Sequence, residues 1–238
     1  MQTTSATYQT IIGTDGHWFE TKLLINGVTY DKTTLVSMKT SHEMFSGTPE
    51  IGHAIAGEIE AQLLVPSADI PTMAELKPYV RACTASQQSE WLPQGVYYID
   101  TRSETKNEHG VNVLTIHGFD AMLKGERLYD GLITGDSDDT DMVDEVARLL
   151  GVSVDARTYT IMTEAYTVPF PAGYTLREIL GYIASMYVGA FIMTEEGKLR
   201  LVTILELPAE TNYLIENMGD AITFGGDAIT FGGDRILV

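Results

Sequence analysis

The segment TLREILGYIASMYVGAFIMTEEGKLRLV, residues 175–202, decides the fold class of this chain because the hydrophobic period changes within it. Thr175 and Glu178 have the spacing of a capping box, in which each side chain accepts a hydrogen bond from the backbone amide of the other residue. Apolar residues then recur with the helical period at Leu176, Ile179, Leu180, Ile183 and Tyr187. This spacing predicts a helix with one buried face.

The second half of the segment predicts a β-hairpin. Gly189 is expected to end the helix in the left-handed conformation that glycine adopts without steric cost. The apolar period then becomes two, which predicts strands at 190–193 and 199–202 joined by a turn. A capped helix that leads into a hairpin makes an α+β unit, and we assign residues 121–205 to such a connecting domain.

A second helix is predicted in the same domain at residues 142–150. An acidic stretch, 135–141, precedes it and suits the positive end of a helix dipole, and Gly151 follows it. The predicted apolar face consists of Val143, Val146, Leu149 and Leu150. We expect a short helix within 119–128 and extended or irregular structure over 152–169.

Residues 1–120 are predicted to form an antiparallel β domain, a barrel or a sandwich. Asn26-Gly27 is a strong signal for a two-residue hairpin turn. Residues 58–65 alternate apolar with polar side chains, so Glu58 and Glu60 should lie on a solvated face. Further strands are expected at 19–25, 28–30, 79–82, 96–100 and 111–118.

The C-terminal segment, 206–238, contains an identical tandem repeat of the heptad GDAITFG at 219–225 and 226–232. Recurrent glycine and the lack of an apolar seam exclude a coiled coil. The repeat predicts either short strands turned by Gly-Gly pairs or a duplication that only lengthens a loop. We assign 206–238 as a β tail, the equivalent of a reduced or truncated second barrel.

Composition limits the classes of function. The formal charge of −18 argues against sequence-independent binding of nucleic acid, which relies on Lys and Arg contacts to phosphates. Cys83 is the only cysteine, so an intramolecular disulfide is excluded, and we expect a small buried apolar side chain. The N-terminal residues have no signal-peptide pattern, and no apolar run reaches the length of a membrane span. The sequence therefore predicts a soluble protein made in the cytosol.

The sequence contains no recognisable catalytic or metal-binding motif. The five histidines lack the spacing of metal ligands, and each is predicted to be a surface residue or a hydrogen-bonded core residue. Asp136 and Asp138 resemble the start of a calcium loop, but Asp141 stands where that loop needs glycine. Nucleophile-elbow and phosphate-loop motifs are missing. We predict no catalytic, cofactor-binding or metal-binding residues and no enzymatic activity.

Three aromatic residues, Trp91, Tyr97 and Tyr98, stand close together in the sequence. They form either an interaction surface, since Trp and Tyr are enriched at interfaces, or core packing across a hairpin.

The order of several segments resembles that of phage and prophage tail proteins. Residues 89–102, SEWLPQGVYYIDTR, are similar to a W-x-P-x-G-x-[YF]-x-I-D pattern of those proteins. The other segments that occur there in the same order are 51–60, 113–123, 174–184 and 197–201. Residues from about 20 to 205 thus resemble the baseplate or tail hub family of tailed phages.

The resemblance implies a structural virion protein at the tail tip or baseplate, made in the bacterial host cytoplasm. Such hubs are homotrimers whose tube-like β-barrel domains build a ring that continues the tail tube. The resemblance also implies partners, namely tail tube or distal tail proteins above the ring and a tail fibre, spike or lysin below it. Phage DNA would pass through the lumen without specific binding, and the protein would not insert into a membrane. The segment 206–238 is shorter than the about 100 residues of a typical second domain, which departs from the family pattern.

If the chain is a hub, its negative charge can be explained by a role in DNA passage. Glu58 and Glu60 would line a negatively charged channel through which DNA slides, or they would only solvate the outer face of the sheet. Two other classes of function stay open. One is the hub portion of a tail-associated peptidase or muralytic enzyme, and the other is a receptor-binding or carbohydrate-binding tail module.

Overall fold

A computed structural model describes residues 4–42 and 51–203 and four two-residue strands between 223 and 235. The chain divides into two compact units, Met1–Leu205 and Glu206–Val238.

The first unit combines strands with a few helices. Its strands are β1 Trp18–Ile25, β2 Val28–Tyr30, β3 Leu35–Ser41, β4 His53–Ala54, β5 Glu58–Leu63, β6 Glu75–Cys83, β7 Leu92–Pro93, β8 Tyr97–Lys106, β9 Asn112–Asp120, β10 Ser137–Asp138, β11 Thr167–Val168, β12 Gly189–Met193 and β13 Leu199–Thr203. Its helices are α1 Ala6–Ile12, α2 Asp139–Leu150, α3 Arg157–Ile161 and α4 Leu176–Met186, with 3-10 turns at Ser67–Asp69 and Ala121–Glu126. The predicted class, α+β and mostly antiparallel β, is confirmed.

The main sheet has eight strands in the order β2-β1-β6-β8-β9-β5-β3, with β7 beside β6. All of its pairs are antiparallel. Laid flat, the six spacings of that order would separate its ends by about 29 Å, at about 4.8 Å each. The end strands β2 and β3 are joined by residues 31–34, which reach at most about 18 Å. The sheet must therefore curl.

Curling brings the sheet close to a barrel without closing it. Among the described strands, the end strands β2 and β3 do not pair with each other, so the described part of the chain does not form a closed barrel, one of the two predicted architectures. The end strand β2 has only three residues, so it offers only a short edge for pairing with β3.

The inner surface of the curled sheet holds the first hydrophobic core. The predicted alternation of β5 is confirmed, because Ile59, Ala61 and Leu63 are buried whereas Glu58 and Glu60 are exposed. Other strands contribute Leu23, Ile25, Leu76, Tyr97, Leu114 and Ile116. Cys83 is buried, as predicted.

The helix and hairpin around residue 190 organise the second hydrophobic core, which includes α2, α4, β12 and β13. The capping box is confirmed: the Thr175 amide donates to Glu178 Oε2 at 2.7 Å, and the Glu178 amide donates to Thr175 Oγ1 at 3.2 Å. All five residues of the predicted stripe are buried. The strands β12 and β13 pair antiparallel, from Gly189 with Thr203 to Met193 with Leu199.

The predicted C-cap at Gly189 is wrong. Val188 takes the left-handed conformation, with φ of 52°, and Gly189 already belongs to β12. A Cβ atom at position 189 would lie 2.4 Å from the carbonyl oxygen of Val202. Glycine is therefore needed there for close approach of two strands rather than for a positive φ.

The remaining expectations for 119–169 are met in part. The helix α2 begins earlier than predicted, at Asp139, and ends at Gly151 in the left-handed conformation, with φ of 79°. Leu149 is only half-buried, and Met142 and Ala147 are buried on the same helix. A 3-10 turn stands within 119–128, and the short helix α3 lies in a segment predicted to be irregular. No local pattern indicates that β4 pairs in parallel with β12, as it does in the structure.

The two cores lie within one compact unit, so the domain boundary between residues 120 and 121 stays a prediction. In the second unit, Thr223–Phe224 pairs antiparallel with Asp227–Ala228, and Thr230–Phe231 pairs with Asp234–Arg235. These pairs flank the Gly-Gly positions of the heptads, which favours the hairpin interpretation. In the described part of the chain, no helix is both long and apolar enough to cross a bilayer.

Candidate functional site

The exposed face of β5 is the surface for which the sequence predicts a function. Glu60 lies between Lys39 of β3 and His117 of β9, and Glu58 lies between Ser41 and Phe119. These side chains line a shallow depression of about 260 Å³. Two carboxylates, Glu58 and Glu60, outnumber the one lysine, Lys39, on this face, so the strip is weakly acidic.

The three aromatic residues of the 91–98 stretch do not form one cluster. Tyr97 is fully buried in the first core, and burial raises the pKa of its hydroxyl. Tyr98 is half-buried beneath Lys124, whose Nζ lies 4.8 Å from the ring centroid. Trp91 is partly exposed and contacts Lys22 and Arg81. Core packing thus accounts for Tyr97, and only Trp91 remains a candidate for an interaction surface.

Asp120 joins the curled sheet to the α+β part of the unit. Its side chain is 3% exposed and accepts hydrogen bonds from the Gly57 amide at 2.7 Å and the Met122 amide at 2.8 Å. Burial raises the pKa of its carboxyl to about 6, although the two amide donors and nearby His42 and Arg177 favour the charged form.

His42 extends the Asp120 cluster towards the surface. The His42 side chain also contacts the Tyr97 hydroxyl, which donates a hydrogen bond to the Gln94 carbonyl at 3.0 Å. Sequence reasoning missed this cluster. The one available signal is that Asp120 precedes a short helical turn, as N-cap residues do.

A groove of about 590 Å³ runs between α4 and the segment that contains β4. Gly52 and Gly181 let the two backbones approach, because a Cβ atom at Gly181 would lie 2.5 Å from the Gly52 carbonyl oxygen. Arg177 fixes the segment by donating to the Ala54 carbonyl at 2.6 Å, and its guanidinium also pairs with Glu126.

The five histidines stand on separate elements: His17 before β1, His42 after β3, His53 in β4, His109 between β8 and β9, and His117 in β9. Within the described ranges, no three His, Cys, Asp or Glu side chains are grouped as a metal site requires. Asp138 and Asp139 stand at the start of α2. Asp139 is buried there and accepts hydrogen bonds from the Thr140 amide at 2.8 Å and from the Tyr187 hydroxyl, so its carboxylate links the start of α2 to the end of α4.

Comparison with solved structures identifies the fold. The 43 kDa tail protein of prophage MuSo2 from Shewanella oneidensis superposes with a TM-score of 0.53 and 15% identity, over 78% of this chain and 53% of that chain. A tail protein from Neisseria meningitidis MC58 gives a TM-score of 0.51 and 12% identity, over 77% of this chain and 50% of that chain.

No protein-family model matches the sequence, and no curated protein matches it either. This chain spans about half the length of the two tail proteins. At the level of fold, the resemblance to phage tail proteins that the sequence motifs indicate is confirmed.

Proposed function

We propose that this chain is a structural protein of a phage or prophage tail, the hub subunit of a ring at the tail tip or baseplate. The observation that carries the proposal is the fold: a curled antiparallel sheet with an attached α+β core, shared with one prophage tail protein and one further tail protein over more than three quarters of this chain. The order of motifs along the sequence supports the same function independently, because it does not depend on the three-dimensional structure.

The open seam of the sheet supports assembly into a ring. β2 and β3 are the end strands of the sheet order, so each has one side without a strand partner among the described residues. Unpaired strand edges favour pairing with another chain. Two different edges give a head-to-tail contact, and such a contact closes into a ring when the rotation between subunits allows it. A homotrimer is the ring size that the resemblance implies.

Passage of DNA is proposed along the exposed face of β5. Glu58 and Glu60 are exposed, and the chain carries a formal charge of −18. An acidic lumen repels phosphates, so DNA passes without adhering. Lys39 moderates that charge locally. The ring would join tube or distal tail proteins above to a fibre, spike or lysin below, in the virion and not in a membrane.

Mass measurement of the purified chain, followed by cryo-electron microscopy of the tail particle, tests the proposal. A trimer or a trimeric ring on the tail tube, with Glu58 and Glu60 towards the axis, is expected. The double variant Glu58→Gln, Glu60→Gln should assemble normally but retain DNA in the tail, and Asp100→Asn with Glu108→Gln serves as the exposed control. A particle in which this chain lies outside the tail axis refutes the hub assignment.

The enzymatic alternative is tested separately. As a structural hub, the chain should release no soluble fragments from purified peptidoglycan. Release by the purified protein would instead assign it to the tail-associated muralytic class.

A further inference from the structure

A second groove lies on the outside of the curled sheet, where β1, β6 and the turn before β3 meet. Its volume is about 550 Å³, which is within the range of small-ligand sites. Both tryptophans of the chain, Trp18 and Trp91, line it. Trp18 is 44% exposed and Trp91 is partly exposed. Phe19 follows Trp18 directly in β1, so its side chain faces the other side of the sheet, and its ring contacts His17. Two accessible tryptophan side chains in one groove form a platform that no part of the first core explains.

The Trp91 ring is held in place before any ligand arrives. Lys22 Nζ and Arg81 Cζ each lie 4.4 Å from the ring centroid, a favourable cation–π geometry. Arg81 is in turn fixed by Glu20, to which its Nε donates at 3.0 Å. A side chain that is already fixed loses little conformational entropy when a ligand binds, which favours recognition by this surface.

The polar lining indicates the chemistry of the ligand. Two carboxylates, Glu20 and Asp31, face two cations, Lys32 and Arg81, so the charges of the groove cancel within a chain of net charge −18. A balanced lining does not select an anion or a cation. The exposed amide of Gln88 offers two donors and one acceptor.

We propose that this groove binds a neutral saccharide. The aromatic faces would pack against the C–H face of a sugar ring, and the amide, carboxylates and guanidinium would hydrogen-bond its hydroxyls. Every residue that lines the groove belongs to this one chain, so the site does not need a residue from another subunit. It adds a glycan-recognition function to the proposed tail protein.

The same residue types also form hot spots for protein partners, because Trp and Arg dominate such surfaces. The charge balance and the concave shape favour the sugar. A protein occupant is therefore an outcome that the experiment must separate.

Intrinsic fluorescence gives a direct test, because all tryptophan emission of this chain comes from the two groove residues. The full chain is titrated with the neutral disaccharides chitobiose, maltose and lactose, and with anionic sialyllactose. A saturable change with a millimolar dissociation constant is expected for at least one neutral sugar, with weaker or no binding of sialyllactose.

Calorimetric titration with the best sugar then compares three variants. Trp18→Ala and Gln88→Ala should each lower the affinity at least tenfold, and Gln88 is exposed, so that variant tests the site without a folding defect. Tyr182→Ala, which removes a 58% exposed aromatic ring outside this groove, should bind like the native chain. Three results overturn the proposal: no saturation by any neutral sugar, unchanged affinity in both groove variants, or a groove that captures a purified tail protein and no sugar.

Discussion

Replacing Asp120 by asparagine should change the pH dependence of stability more than stability at neutral pH. The asparagine side chain would retain one acceptor oxygen but would place its amide nitrogen against one of the two backbone N–H donors, Gly57 or Met122. Leaving a buried donor unsatisfied costs about 1–3 kcal/mol. The substitution also removes a carboxylate that is 3% exposed, and this change is favourable.

The free energy gained by removing the buried charge follows from the pKa of the Asp120 carboxyl. Burial raises it from the ordinary value of 3.8 to about 6. The charged form is therefore disfavoured in the folded state by about 3 kcal/mol, at 1.36 kcal/mol per pKa unit. At pH 7.5 this gain roughly offsets the lost hydrogen bond, so the free energies of unfolding of the variant and the native chain should agree within about 1–2 kcal/mol.

The linkage between protonation and folding determines whether acidification stabilises or destabilises the native chain. A carboxyl whose folded pKa is raised contributes its full stability below the unfolded pKa and loses it as the pH rises through the folded pKa. Between pH 7.5 and pH 5.0, protonation of Asp120 should therefore stabilise the native chain relative to the Asp120→Asn variant by about 1.4 kcal/mol. The pKa of about 6 already includes the positive charges of His42 and Arg177, which favour the carboxylate, so removing one of these charges should make the gain larger.

Urea denaturation of both proteins at several pH values measures the difference between their free energies of unfolding. Because the other titrating groups are common to the pair, the difference isolates Asp120. Repeating the series in a His42→Gln background, with and without Asp120→Asn, removes the imidazole charge and should make the gain larger. A difference that stays constant from pH 7.5 to 5.0 in both backgrounds refutes the reasoning.

Three further substitutions test the packing around the α4–β12 junction, with urea denaturation as the measurement. Ile183→Gly should cost roughly 3 kcal/mol or more, since it removes a fully buried side chain and adds a helix breaker; a fully stable variant would mean that the buried face is wrong. Val188→Gly should stabilise by about 1 kcal/mol because Val188 has φ of 52°, and a loss of stability would contradict strain there. Gly189→Ala should cost about 1–3 kcal/mol, because the new Cβ would lie 2.4 Å from the Val202 carbonyl oxygen, and a neutral effect would show that the strands can separate.

Much of the local structure was predictable from residues that lie close together in the chain. The capping box of Thr175 and Glu178 and the apolar stripe that follows it depend on side chains within one helix. The alternation in β5 depends on a period of two, so the sequence predicts that Glu58 and Glu60 lie on the exposed side, where the structure has them. The Asn26-Gly27 turn adopts positive φ at both residues, as its sequence indicates.

The candidate sites were mostly not predictable, because their members come from distant parts of the chain. Asp120 reaches Gly57 across 63 residues, and the Trp91 groove needs residues from around 18, 31 and 81. Conversely, residues that are adjacent in the sequence do not always share a site. Tyr97 and Tyr98 are neighbours in sequence, but successive side chains of a strand face opposite sides of the sheet, so they pack in different cores.

The sequence by itself determined the elements, the acidic character and the resemblance to tail proteins, since each depends on composition, short-range periodicity or the order of motifs along the chain. Only the tertiary structure decided that the sheet curls but stays open, and that Val188 rather than Gly189 takes the left-handed turn. Both outcomes depend on contacts between segments that pack together in the fold: a four-residue connection draws the sheet ends together, and the Val202 carbonyl leaves no room for a side chain at position 189. Such contacts have no period and leave no local signal.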